Sequence, residues 1–202
     1  MKEIYLMRHS EALKFNNINN SDSLQIQNEK WPLSKYGEEL AKKISLNEEM
    51  KNFDLIISSN YVRAISTAKY FTNDKINIDE NFNERKFGIN SWNELPIDFG
   101  KRQFLDYDYK IGNGESLNDV MKREYSSLVK ILNTNYNKIL IVGHSTAFAA
   151  LLSKWCKVNY DGNYLFNNKV FFDGKWNYCE IFKLDFENNL LIDIQNIRNM
   201  LK

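Results

Sequence analysis

The chain has 202 residues, with 27 basic and 26 acidic side chains and a net charge of +1, so it carries no broad basic field for nucleic acid. Its length suits one domain over residues 1–202 with a single core, and no Pro-, Gly- or Ser-rich stretch marks a linker. Two cysteines, Cys156 and Cys179, suggest neither a disulfide framework nor a Cys-rich zinc site, and Glu3 and Arg8 interrupt any leader-like apolar run, so the expected location is the cytoplasm.

In chain order, Ile4–Met7 is a short apolar run expected to form a strand, and it ends in Arg8-His9-Ser10. Segment 14–31, rich in Asn and Ser, reads as a loop. "LSKYGEELAKKI" reads as a helix that Ser34 can cap. Leu55–Ile57 is a second strand, followed by Ser58-Ser59-Asn60 and a helical repeat at Val62, Ile65 and Ala68, with Ser59 or Asn60 as the expected cap. Much of 89–113 reads as a loop, carrying Trp92, Phe99, Phe104, Tyr107 and Tyr109 as a lid, a wall or part of the core. "ESLNDVMKREYSSLVKILN" has helical apolar spacing. Ile139–Val142 is a third strand, leading through Gly143-His144-Ser145 into the helical "TAFAALLSKW". This long apolar stretch contains His144 and Lys154, and reads as a strand and buried helix rather than a membrane span. The tail alternates as two antiparallel strands, "NYCEIFKLDF" and "LLIDIQNI", about a turn near Asn188-Asn189.

Continuous apolar runs alternating with helices point to an α/β three-layer sandwich whose central, mostly parallel sheet is flanked by helices. In such a sheet, ligands bind beyond the carboxyl ends of the strands. The only two histidines, His9 and His144, both follow strand-like runs; Arg8 precedes the first, and Arg63 lies in the first helical turn after another. Taken singly, an Arg there would pair with a surface carboxylate, and a His would be structural. Taken together, two arginines, two imidazoles and nearby helix N-termini suit a phosphoryl group.

These residues also carry a resemblance. "LMRHSEA" resembles the Arg-His-Gly motif of the histidine phosphatase superfamily, the phosphoglycerate mutase-like group. "WPLSKYGEELA", "SSNYVRAISTA", "NERKFG", "GESLNDVMKR" and "IVGHSTAFAALL" are similar to its further segments, in family order over roughly residues 4–152. The resemblance implies a phosphoglycerate mutase-like fold and a metal-independent phosphatase acting on small-molecule phosphomonoesters. It implies that His9 is the nucleophile and forms a phosphohistidine. Arg8, Arg63 and His144 would bind the phosphoryl oxygens with the backbone N–H of Ser145, and Glu84 would be general acid and then base. No metal, cofactor, nucleic acid or membrane is expected; a homodimer stays open.

Three positions depart from the family pattern: Ser10 and Ser145 stand where Gly is common, and Phe15 stands where Asn is often found. Ser10 is expected to add a side chain near the phosphate pocket, and Arg85 to lie on the surface rather than to touch substrate. "GHSTA" also resembles the nucleophile elbow of α/β-hydrolases, but no histidine follows Ser145, as the triad order requires. Two histidines and scattered cysteines lack zinc-ligand spacing. A mutase-type phosphotransferase is the nearer rival. Those relatives carry a long insertion between the acidic residue and "GES", whereas Glu84 and Gly114 here are only about thirty residues apart. A catalytically weak phosphate-binding domain is the rival from another class.

Overall fold

The computed structural model describes residues 1–14 and 22–200. Ile4, Tyr5, Leu6 and Met7 are fully buried because β1 (Lys2–Arg8) is an interior strand with packing on both faces. In chain order there follow α1 (Leu24–Lys30), α2 (Lys35–Ser45), β2 (Leu55–Ser58), α3 (Val62–Ala68), β3 (Asn77–Ile78), α4 (Phe99–Leu105) and α5 (Leu117–Leu132). Then come β4 (Lys138–Gly143), α6 (Ser145–Leu152), β5 (Tyr164–Phe166), β6 (Lys169–Phe172), β7 (Ile181–Glu187) and β8 (Leu190–Asn196). The main sheet has the order β3-β2-β4-β1-β7-β8, with β1, β2, β3 and β4 parallel, β7 antiparallel to β1, and β8 antiparallel to β7 at the edge.

The period-2 alternation of side chains along a strand divides the core between the two faces of the sheet. Ile4, Leu6, Ile57, Ile139 and Ile141 pack with Leu128 and Ile131 of α5 and Phe148 and Leu151 of α6. Tyr5, Met7, Ile56, Leu140 and Val142 pack with Ala41 and Ile44 of α2 and Ala64 and Ala68 of α3. Burying each large aliphatic side chain in this way contributes about 1.5–3 kcal/mol. The result is the expected three-layer sandwich.

Caps and turns set several boundaries. The Ser34 hydroxyl accepts from Gly37 N–H at 3.0 Å at the start of α2, and Ser116 with Asp119 forms a capping box on α5. Asn188 and Asn189 both have positive φ, which suits the tight β7–β8 hairpin. Of the loop expected over 14–31, residues 15–21 lie outside the described residues, and the remainder is corrected: α1 starts after Ser23, whose hydroxyl accepts from Ile26 N–H. This helix buries only Leu24 and Asn28, so its sequence has no apolar stripe. Likewise, 89–113 contains α4, which buries Phe99 and Gln103.

Candidate active site

The register delivers the site residues to one edge. Arg8 pairs with Gly143, and Ser58 with Val142, so β1, β2 and β4 end at nearly one level. His9 N–H donates to Gly143 C=O at 2.9 Å, and Ser59 N–H donates to Val142 C=O at 3.0 Å. His9, His144 and Ser59 thus follow adjacent strand ends, and the first turn of α3 supplies Arg63, only 5 % exposed. Ser59 is not the expected cap of α3. The cap position is Tyr61, which makes no side-chain cap bond, and the Ser59 hydroxyl lies 2.9 Å from His144 Nε2.

Arg63 fixes the proton positions on both imidazoles. Its Nε–H donates to His9 Nε2 at 3.0 Å, and a guanidinium can only donate, so Nε2 holds a lone pair. His9 Nδ1 lies 2.6 Å from the Ser10 carbonyl, which can only accept, so Nδ1 carries the proton. Arg63 Nη2 lies 3.3 Å from His144 Nδ1, so that nitrogen accepts and His144 Nε2–H donates to Ser59. Arg63 Nη1 donates to the Asn28 backbone carbonyl at 2.5 Å and to its amide oxygen at 3.3 Å. Burial, then the charges of Arg63 and Arg8, hold the His9 pKa well below 6.5; burial and Arg63 do the same to His144. Burial lowers Arg63 to about 10, which leaves it charged at neutral pH. Arg8 donates through Nη1 to Trp176 C=O at 2.7 Å, and its guanidinium lies over the Tyr178 ring.

Ser10 is fully buried, and its hydroxyl donates to Gly37 C=O of α2 at 2.8 Å. The expectation of an added side chain at the phosphate pocket is corrected: this bond turns the hydroxyl toward α2. Ser10 N–H donates to Thr67 Oγ1, and the Thr67 hydroxyl donates to the Arg63 carbonyl, so α3 braces the backbone next to His9. A side chain at position 37 would place Cβ 2.2 Å from the Glu11 carbonyl oxygen, so only Gly lets α2 approach this turn. Phe15, at the third departing position, lies outside the described residues.

Glu84 lines a cleft of about 410 Å³ together with Arg63. One carboxylate oxygen accepts from the following N–H of Arg85, and its charge acts on both Arg8 and Arg63. Its loop is held from α5: Arg123 pairs with Glu115 through Nε and Nη2, at 2.8 and 3.0 Å, and donates to the Asn81 and Glu84 carbonyls. Gly88, at φ +70, and Gly114 meet backbone to backbone, which explains why "FG" and "GES" both need glycine. Sequence reasoning missed Ser59, Thr67, Asn28 and Arg123 as supports; the Arg closing "GESLNDVMKR" was the available signal for the last. Arg85 is corrected from the surface to a buried position, 9 % exposed, with its guanidinium over Phe87 and Phe99. Ser145 opens α6 directly after His144, and it lines a separate pocket of about 120 Å³ with Tyr160 and Trp176.

Among the described residues no group of His, Cys, Asp and Glu is arranged to hold a metal, and no helix is long and apolar enough to cross a membrane. No curated protein matches the chain. Among solved structures, it is similar to mycobacterial glucosyl-3-phosphoglycerate phosphatase in complex with inorganic phosphate, with 17 % identity, 97 % of each chain covered and a TM-score of 0.70. It is also similar to a mutant phosphoserine phosphatase from Entamoeba histolytica in complex with phosphoserine, with 19 % identity, 99 % of this chain and 100 % of that one covered, and a TM-score of 0.68. At such identities these neighbours establish the fold. The family model of the histidine phosphatase superfamily (branch 1) matches residues 4–188, so strand ends carrying Arg8, His9 and His144 beside Arg63 belong to a member of that superfamily.

Proposed function

We propose that the chain hydrolyses phosphomonoesters through a phosphohistidine on His9. The proton position on that ring carries the reading: a neutral imidazole, protonated at Nδ1 and bare at Nε2, is the form that can attack phosphorus. An incoming phosphoryl group would take up the donors of Arg63 now spent on the imidazoles, and those of Arg8. Its negative charge would favour a proton on His144 Nδ1, turning that nitrogen into a further donor. Nε2 then forms the P–N bond as the ester P–O bond breaks, and the Glu84 carboxyl gives its proton to the leaving alcohol. In the second step the Glu84 carboxylate takes a proton from water, whose oxygen attacks phosphorus. The P–N electron pair returns to Nε2 and inorganic phosphate leaves. Fixed donors aimed at the phosphoryl oxygens supply the charge stabilisation that this transfer needs. Both structural neighbours bear the name phosphatase.

The test is phosphate release from p-nitrophenyl phosphate in EDTA, with an acid-labile, base-stable phosphoenzyme trapped on rapid quenching. His9→Ala should abolish both signals; release that persists in the variant overturns the nucleophile assignment. Isomerisation of 3-phosphoglycerate without net release would point instead to a mutase.

A further inference from the structure

Beside the phosphoryl site lies a wall that the hydrolytic steps leave unused. Arg63 and Glu84 form one end of the cleft of about 410 Å³, and Trp31, Phe87, Trp92 and Leu95 line its side. The Trp31 and Trp92 rings are stacked, with centroids 6.2 Å apart and planes inclined by 23°, and Phe87 meets Trp92 edge-on at 5.2 Å. The indoles are too close to admit a ring between them, and with Phe87 they form one aromatic side of the cleft. Trp92 remains 41 % exposed, so part of this aromatic side is open to a ligand.

Resting on the hydrolase reading, we propose that this wall is the alcohol subsite and takes a phosphomonoester whose alcohol carries a planar aromatic ring. The geometry matches, because Arg63 and Glu84 share this cleft with the wall, so an alcohol leaving beside Glu84 would continue into it. The polar content matches as well. Arg63 and Glu84 serve the phosphoryl end, and the Asn28 amide oxygen is already occupied by Arg63. Among the described residues that leaves Lys14, whose ammonium lies 5.8 Å from the centre of the Trp31 ring, as the one remaining charge along the cleft. Among the described residues a sugar's several hydroxyls would meet few partners on this face, and each one left unpaired would weaken binding. A flat ring stacks on the indoles without that cost.

Three primary alkyl esters separate ring recognition from leaving-group chemistry: 2-phenylethyl, 2-cyclohexylethyl and butyl phosphate. The expected order of kcat/KM places the phenyl ester about five- to tenfold above both others, the size of one aromatic stacking contact. Trp92→Ala should lower the phenyl ester by about that factor, mainly through KM, and the butyl ester by less than about twofold; Trp92→Phe should keep most of the preference. Equal kcat/KM for the three esters, or a uniform loss in Trp92→Ala, overturns the proposal. Failure to hydrolyse any ester, p-nitrophenyl phosphate included, would instead overturn the hydrolase reading. The wall is then read by tryptophan quenching with non-hydrolysable 2-phenylethylphosphonate. Quenching that Trp92→Ala abolishes supports the subsite, and no quenching overturns it.

Discussion

The His9 and His144 rings meet edge to face, 5.1 Å between centroids, with the guanidinium of Arg63 touching a ring nitrogen of each. One cation thus sets the proton position on both imidazoles and holds a ring nitrogen of each as an acceptor. A lysine could supply the charge, but not two donors in a fixed plane.

If Glu84 protonates the leaving oxygen, its loss should depend on the leaving group. Glu84→Gln is expected to lower kcat for an alkyl phosphate by about 10²–10³-fold, and for p-nitrophenyl phosphate by less than about tenfold, since nitrophenolate departs without a proton. Steady-state rates on the two esters decide it. Equal losses would remove Glu84 from the acid role.

Burial and the nearby arginines hold His9 below 6.5, so kcat/KM should stay level as pH falls through 6.5 before its acid limb begins. Arg8→Gln removes one repelling charge, so His9 protonates more readily and the limb should move to higher pH, whatever the overall rate. An unmoved limb would show that the Arg8 charge does not act on His9. The same shifts bear on stability. Both folded imidazoles resist protonation while the unfolded chain takes up protons near 6.5, so their contribution is present above that pH and is lost as pH falls toward their lowered folded values.

Ser10→Gly should be mild for catalysis, since the hydroxyl bonds to Gly37 C=O. The expected outcome is kcat within about twofold of the parent and a loss of about 1 kcal/mol in urea denaturation, the worth of one buried hydrogen bond. A large gain in turnover would show that Ser10 obstructs the phosphate.

Glu124 on α5 is fully buried, and neither carboxyl oxygen has a hydrogen-bond partner among the described residues. Burial raises its pKa well above 4.5, so its contribution to stability is fully present below 4.5 and is lost as pH rises through the folded value. Glu124→Gln, which cannot ionise, should therefore match the parent near pH 4.5 and exceed it at pH 8 or higher. Parallel denaturation curves at the two pH values would contradict this.

How much of this was legible in the sequence depends on the kind of signal. β1 and β4 are continuous apolar runs buried on both faces, α2 follows its cap Ser34 and α5 has helical apolar spacing, so all four were readable. The positions of Arg8, His9 and His144 at strand ends, and of Arg63 in a first helical turn, followed from the same pattern. α1 was not readable, because one of its two buried residues is Asn28, a polar group buried against Arg63. Ser59 looked like a cap because its partner, His144, is 85 positions away. Arg85 looked exposed because the aromatic rings beneath it come from Phe87 and from Phe99, which sits on a helix with little periodic signal of its own.

The Arg123–Glu115 pair, with Glu115 N–H donating to Lys86 C=O and Lys86 N–H to the Glu115 carboxylate, stitches the Glu84 loop to the start of α5. The two segments should therefore open as one cooperative unit. In native-state hydrogen exchange the amides of Lys86 and Glu115 should share one opening free energy, and Arg123→Ala should lower both together. Whatever melts the first two turns of α5 then also frees the loop of Glu84, the residue proposed to protonate the leaving group, more than thirty positions upstream of the broken contact.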